Sequence, residues 1–413
     1  MKRILPILII AALNTFPSFN QVYDKQAFLL GSASLLNGKY EQAELYFDSA
    51  LKQMPSDFRL VSGRGMARYY LGKTNLAIDD FKRATALGHA ESWFWLAKCF
   101  GAMNKPEETI LALEKYLEMD KNADPYQLFK DESIKKIHYS IQWQHFIAGF
   151  EPTSMQLAIA SANKFMAIEN FSEAHRQIEN VLAVIPLSDL LHYTRAKIYE
   201  EEGNLSMARY ETLKALDIAP KNYLYLLKLA DIDFSMQNYN EAYKYYLQAK
   251  TDFPWQFELN LKISNTCLKL DKPIEAGKYA AEYLFFFPGD TAALFLGAQA
   301  SFLLNDYLNV LRQMNALLKT AKPRAEWFKL RGMAYYQTNT YALAANDLSM
   351  GLDLAPLDAE ANYYMGLAEI ALNNKQRACY FFNRALQLGD VRALDFLGKN
   401  CTSRQFIVNP VLE

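Results

Sequence analysis

Pro186, Pro220, Pro254 and Pro288 stand at one constant interval, and Pro356 falls two further steps along the same ruler. A second column keeps that step through Ala174, Ala208, Ala242, Ala276, Ala344 and Ala378, with Val310 in the one remaining place. Two residue types cannot hold one period over so long a stretch by composition alone. They mark an array of short units, each of which buries its apolar face only by stacking on its neighbours. Such a core grows in one dimension, so the two or three domains ordinarily expected of 413 residues are not required.

One unit shows the local logic. Between Tyr223 and Pro254, Leu226, Leu229, Ala230 and Phe234 recur at helical spacing. Gln237-Asn238 breaks the run, and a second helical pattern passes through Ala242, Tyr246 and Ala249. Two antiparallel helices joined by a tight turn fit this pattern. Alanine permits close approach of the helices, and Tyr239 and Tyr246 supply bulk beside it. Pro254 ends the second helix, because it lacks an amide donor and restricts the residue before it.

These residues resemble the tetratricopeptide repeat family, whose unit is a helix-turn-helix of about 34 residues. With Pro254 at place 32 of the unit, Ala230, Ala242 and Ala249 take the family's small places 8, 20 and 27, and Tyr239 and Tyr246 its aromatic places 17 and 24. The first unit matches through Gly31, Tyr40, Ala43, Phe47, Ala50 and Pro55, and the second through Gly65, Gly72, Ala77, Phe81 and Ala84. Later units match through Ala196, Gly203, Ala208, Ala215 and Pro220, then Gly332, Tyr341, Ala344 and Pro356, then Gly366, Ala378, Phe382 and Ala385. The resemblance covers residues 24–390. It departs at Thr109, where alanine is usual, and at Val310, Met314 and Leu317.

The resemblance implies an all-α fold: an α-solenoid of about ten repeats forming a right-handed superhelix with a C-terminal capping helix. Three repeats are expected over 24–123 and seven over 153–390, with a capping helix and tail over 391–413. The block 124–152 is shorter than the period and carries no repeat pattern, and it reads as a short helical pair forming a joint. Residues 1–20 read as a cleavable signal peptide: Lys2 and Arg3 precede an apolar stretch from Ile4 to Leu13. That stretch is too short to span a bilayer, which takes about 20 residues. Export to the periplasm or cell surface of a bacterium is the expectation.

Charge excludes one class of partner. Lys+Arg number 44 against 45 Asp+Glu, with no basic stripe of the kind a nucleic-acid surface needs. Hydrophobic residues make up 51%, far too many for a disordered chain.

Motifs for chemistry are sparse. Gly72-Lys73-Thr74 lacks the glycine a phosphate loop needs five residues earlier, where Ala67 stands, and falls between two predicted helices. His138 and His145 are seven apart on one predicted helix, about 10 Å from each other, too far to share a metal ion. Cys99, Cys267, Cys379 and Cys401 show no metal spacing; whether Cys379 and Cys401 pair depends on a Cα separation that sequence does not supply. The apolar run Thr291 to Leu304 reads as a helix buried between stacked neighbours.

The period-keeping residues Ala43, Pro55, Ala174, Pro186, Ala208, Pro220, Ala242, Pro254, Ala276, Pro288, Ala344, Pro356 and Ala378 are structural, so binding is expected at the places between them. By resemblance, partners are expected on the face lined by first-helix places 2, 5, 9 and 12. The lysine–asparagine set with which some relatives hold a carboxylate is absent: Met333 follows Lys329, and Leu261 precedes Asn265. The face carries instead Leu224, Leu227, Phe234, Leu261, Leu268, Phe295, Phe302, Tyr336 and Tyr363, an apolar and aromatic stripe. A groove for a protein or peptide segment is one reading and burial by self-association the other. The expected function is a non-catalytic protein-interaction scaffold without a cofactor. Alternatives are a subunit of an envelope assembly or secretion complex, and a regulator of a partner enzyme.

Overall fold

The computed structural model describes residues 19–120 and 125–401. Among them every regular element is an α-helix, from Phe19–Leu36 to Ala393–Asn400. The helices follow the ruler. Asp189–Glu201 pairs with Leu205–Ile218, Ala325–Gln337 with Tyr341–Leu354, and Ala359–Ala371 with Lys375–Gln387. Second helices also pack on the first helix of the next repeat, as Tyr341–Leu354 does on Ala359–Ala371. The described residues fall into two compact units, 19–236 (less the undescribed 121–124) with 251–255, and 237–250 with 256–401.

Local chemistry sets the helix ends. Ser188, Asp290 and Asp358 occupy the residue before a first helix, and each side chain accepts from a backbone N–H of the opening turn. That satisfies one of the donors a helix start leaves unpaired. The turn inside the repeat carries a second ruler. Glu169, Gly203, Gln237, Asp271, Asn305, Asn339 and Asn373 all have φ between 54° and 79°, the left-handed region, and they keep the same step as the prolines. The following amide reaches back across the turn, as in Asn170 N to Phe165 O at 2.9 Å and Asn374 N to Glu369 O at 2.8 Å. This closes the first helix and reverses the chain.

Packing within a repeat is complementary in size. A Cβ on Gly31, Gly65 or Gly366 would come within 2.9 Å of Phe47, Phe81 or Phe382 respectively, so the ring occupies the space that glycine leaves. In two repeats alanine takes that place beside an aliphatic or thioether side chain: Ala162 shares a core with Ile178, and Ala298 with Met314. The departures from the pattern are absorbed. Thr109 is buried with its hydroxyl donated to Lys105 O at 2.6 Å, and Val310, Met314 and Leu317 are wholly buried together.

The off-period block differs from the expected helical pair. It holds three short helices, Pro125–Leu128, Glu132–Lys135 and Ile141–Gly149. Asp131 and Ser140 cap the second and third, and each cap interrupts what would otherwise run on as one helix. His138 therefore lies in a turn, stacked on Trp143 with centroids 4.4 Å apart, and does not share a helix with His145. Gly72 has φ 72° between Phe58–Tyr70 and Thr74–Ala86, an inter-helix turn as expected. The signal-peptide reading falls outside the described residues, except that its last two open the first helix. Among the described residues no helix is long and apolar enough to cross a membrane.

The C-terminal helix Ala393–Asn400 buries Ala393 and Leu397 against Phe382 and Ala385 of the last repeat. The tail from 402 lies outside the described residues.

Candidate interaction face

The first-helix stripe is partly consumed by packing. Leu224 is 53% exposed, whereas Leu227, Phe234, Leu261, Leu268, Phe295, Phe302, Tyr336 and Tyr363 are half-buried. Phe295 and Phe302 lean on the core of Leu294, Met314 and Trp327, and Phe302 also meets Tyr307 edge-on at 5.4 Å. Tyr336 contacts Tyr341 at 5.6 Å and Tyr364 at 5.9 Å. Tyr363 lies against Phe382 and Phe396 under the Arg392 guanidinium, which is 4.4 Å from its ring. Burial raises the pKa of both Tyr336 and Tyr363, so these rings stay neutral and present apolar edges with a hydroxyl donor.

The lysine at this face, Lys329, is already paired. Lys329 Nζ sits 2.9 Å from Asp358 and 3.3 Å from Glu360. Burial works against its charge, but the two carboxylates outweigh burial and raise its pKa. It is engaged within the repeat pair.

Near the N-terminus the same face is covered by the chain itself. Lys98 Nζ lies 4.4 Å from the Trp95 ring and 3.2 Å from Asp131 of the off-period block. Tyr69 shares a hydrogen bond of 2.9 Å with Ser133. A Cβ on Gly101 would fall 2.5 Å from Ser133 O, so only glycine admits the backbone here. Ile134 is buried beneath, with Phe129, Ile137 and Trp143, against Leu96 and Leu113. In the sequence the block is visible as a break in period, and of its seat on Tyr69, Lys98 and Gly101 only Gly101 carries a signal.

A set of ion pairs lies beyond the reach of the sequence reading. Arg64 pairs with Asp80, Arg195 with Glu211 and Arg331 with Asp347, each at the same separation across one repeat. Each arginine also reaches a residue equally far upstream, Asp48 at 2.6 Å, Glu179 at 3.9 Å and Asn315 at 2.8 Å. Asp80, Glu211 and Asp347 are buried, so each arginine ties two helices of its own repeat to the repeat before. The signal is an arginine at place 7 with an acid at place 23, readable only once the repeat frame is set. At Glu211 a third group joins: His192 Nδ1 lies 2.7 Å from the carboxylate and Nε2 3.1 Å from Pro186 O.

Reactive groups are subdued. Desolvation pushes the buried Cys99 thiol up to about 12 and Cys267 up to about 11, which keeps both protonated and poorly nucleophilic. Cys379 and Cys401 form a disulfide with Cα atoms 5.8 Å apart, which answers the pairing question. Among the described residues no group of His, Cys, Asp or Glu is arranged to hold a metal ion.

Residues 329–393 match a family model described as tetratricopeptide repeat, and residues 90–122 match another of the same description. The chain is similar to the crystal structure of a tetratricopeptide repeat protein from Parabacteroides merdae, at 18% identity and a TM-score of 0.48 over 59% of this chain and 98% of that one. It is also similar to the APC/C hetero-tetramer Cut9–Hcn1, at 13% identity and a TM-score of 0.46 over 96% and 98%. A third likeness is to Pseudomonas aeruginosa pilF, at 18% identity and a TM-score of 0.43 over 50% and 95%. No curated protein matches the chain.

Proposed function

The chain belongs to the tetratricopeptide repeat family, and on that premise we propose that it is a non-catalytic scaffold binding a segment of another exported or envelope protein. The observation that carries this reading is the first-helix stripe. In the first compact unit it presents Leu224, 53% exposed. In the second it presents Leu261, Phe295, Phe302, Tyr336 and Tyr363, half-buried, with Lys329 beside them already paired. An apolar stripe whose lysine, Lys329, is satisfied internally suits an apolar or aromatic-rich segment. Loss of buried area at such anchors has a large effect on affinity, whereas charge at the rim has little.

Export is the second part of the proposal. The apolar leader from Ile4 to Leu13 after Lys2 and Arg3 supports it, and the Cys379–Cys401 bridge fits an oxidising compartment. Sequencing the N-terminus of the mature protein tests it: a start near residue 21 is expected, and retention of Met1 overturns it.

Leu224→Glu tests the face in the first unit, because this side chain is open and its replacement leaves the core intact; Leu268→Glu tests it in the second. Crosslinking with mass spectrometry should place a partner segment against the first helices that carry these residues in the parent. The variants should lose that partner with unchanged helical content. Crosslinks that lie only on the second helices would overturn the assignment of the face.

A further inference from the structure

The capping helix ends at a covalent fastening. Cys401, which follows Ala393–Asn400, is bonded to Cys379 on the second helix of the last repeat, closing a sequence separation of 22. The cap meets that repeat at several points: Leu397 is buried in its core, Phe396 stacks on Phe382 with centroids 4.8 Å apart, and Arg392 lies over Tyr363. So short a helix does not hold its shape alone in water, so the cap depends on these contacts and on the bridge. Cys379 is enclosed at 1% exposure while Cys401 is half-buried, so of the two cysteines Cys401 is the more open to solvent. The two remaining cysteines are buried thiols in other repeats, with pKa values raised by desolvation.

We propose that the Cys379–Cys401 bridge is a redox-exchange site, which a dithiol reductant opens at Cys401 and which thereby releases the cap from Tyr363 and Phe382. One thiolate of the reductant attacks Cys401 Sγ. The S–S bond breaks, its electron pair passes to Cys379 Sγ, and that sulfur takes up a proton. The second thiol of the reductant, as thiolate, then attacks its own sulfur of the mixed disulfide. Cys401 leaves as a thiol after taking a proton, and the reductant departs as a cyclic disulfide. Two electrons pass from the dithiol to the protein, and a disulfide oxidant restores the bridge by the reverse exchange. Opening removes the constraint on the loop between the two cysteines and leaves only non-covalent contacts to hold the cap.

The test uses the full chain, oxidised or treated with dithiothreitol, under native conditions. Alkylation followed by peptide mapping should mark Cys379 and Cys401 after reduction and leave Cys99 and Cys267 unmarked. Amide exchange across 393–400 should rise by at least about tenfold on reduction while repeats nearer the N-terminus are unchanged. The Cys379→Ser/Cys401→Ser variant should show the fast-exchanging cap without reductant and no response to it. Absence of the bridge from the oxidised protein, or equal protection of the cap in both states, overturns the proposal. Should the double variant fail to fold, the comparison of oxidised and reduced parent decides alone.

Discussion

Arg331 and Asp347 form a two-pronged ion pair across one repeat, with Nε to Oδ2 at 2.5 Å and Nη2 to Oδ1 at 2.8 Å. The remaining prong reaches Asn315 of the preceding repeat at 2.8 Å, so one side chain joins three helices. Hydrogen bonding to Asp347 holds the guanidinium charged, and burial opposes it less strongly. The planar fork is what allows this: a lysine ammonium could not present parallel donors to a carboxylate and a third to an amide.

Removing one partner should expose the cost of the other. Arg331→Met leaves Asp347, whose side chain is 3% exposed, without its counter-charge, and should destabilise by about 3–5 kcal/mol. Arg331→Met with Asp347→Leu should recover most of that loss, since a packed apolar pair replaces the charges. Urea melts with amide exchange over 325–354 measure both. A single variant that melts with the parent would show that the pair contributes nothing.

Acid should act through the related pair at Glu211. Burial alone would raise the pKa of Glu211, but hydrogen bonds from Arg195 and His192 outweigh it and lower the value below the usual carboxylate range. A folded-state pKa below the unfolded one contributes stability that is present above the unfolded value and lost as pH falls through the folded one. The loss at this site should therefore begin below about pH 4.3, the ordinary glutamate value. Glu211→Gln should lower stability at neutral pH and flatten that acid limb; an unchanged limb in the variant would place the titration elsewhere.

The turn residues make a prediction of opposite sign. Glu169 is exposed, has φ 57°, and stands where the next repeat has Gly203. A side chain in the left-handed region costs about 1–2 kcal/mol, so Glu169→Gly should stabilise by up to about 1 kcal/mol after glycine's greater unfolded-state entropy is set against it. Gly203→Val should destabilise by more, since a branched side chain fits that conformation least. Thermal melts of the two variants should move in opposite directions.

Several features are legible in the sequence because they are local and repeat. Pro186 to Pro356 and Ala174 to Ala378 report helix ends and close helix contacts, which depend on residue type within one unit, and the fold keeps the alanines buried at those places. The left-handed column is less legible, since Glu169, Gln237 and Asp271 do not advertise the conformation that glycine and asparagine do. The arginine pairs are hidden differently. Arg64, Arg195 and Arg331 occur in three repeats, while the same place is Leu229, Gly297 and Met365 elsewhere, so no single column reveals them.

By itself the sequence determined the unit: its length, its two helices, its turn and the small residues that set their spacing. So short and regular a period admits little else, because one helix pair buries its apolar face only against another. Tertiary structure decided what each exposed place is used for. It spent much of the Phe295, Phe302, Tyr336 and Tyr363 stripe on neighbouring helices, laid Ser133 against Gly101, and brought Cys379 within 5.8 Å of Cys401. Those outcomes depend on distances between residues in different units, and side-chain identity along the chain carries no such distance.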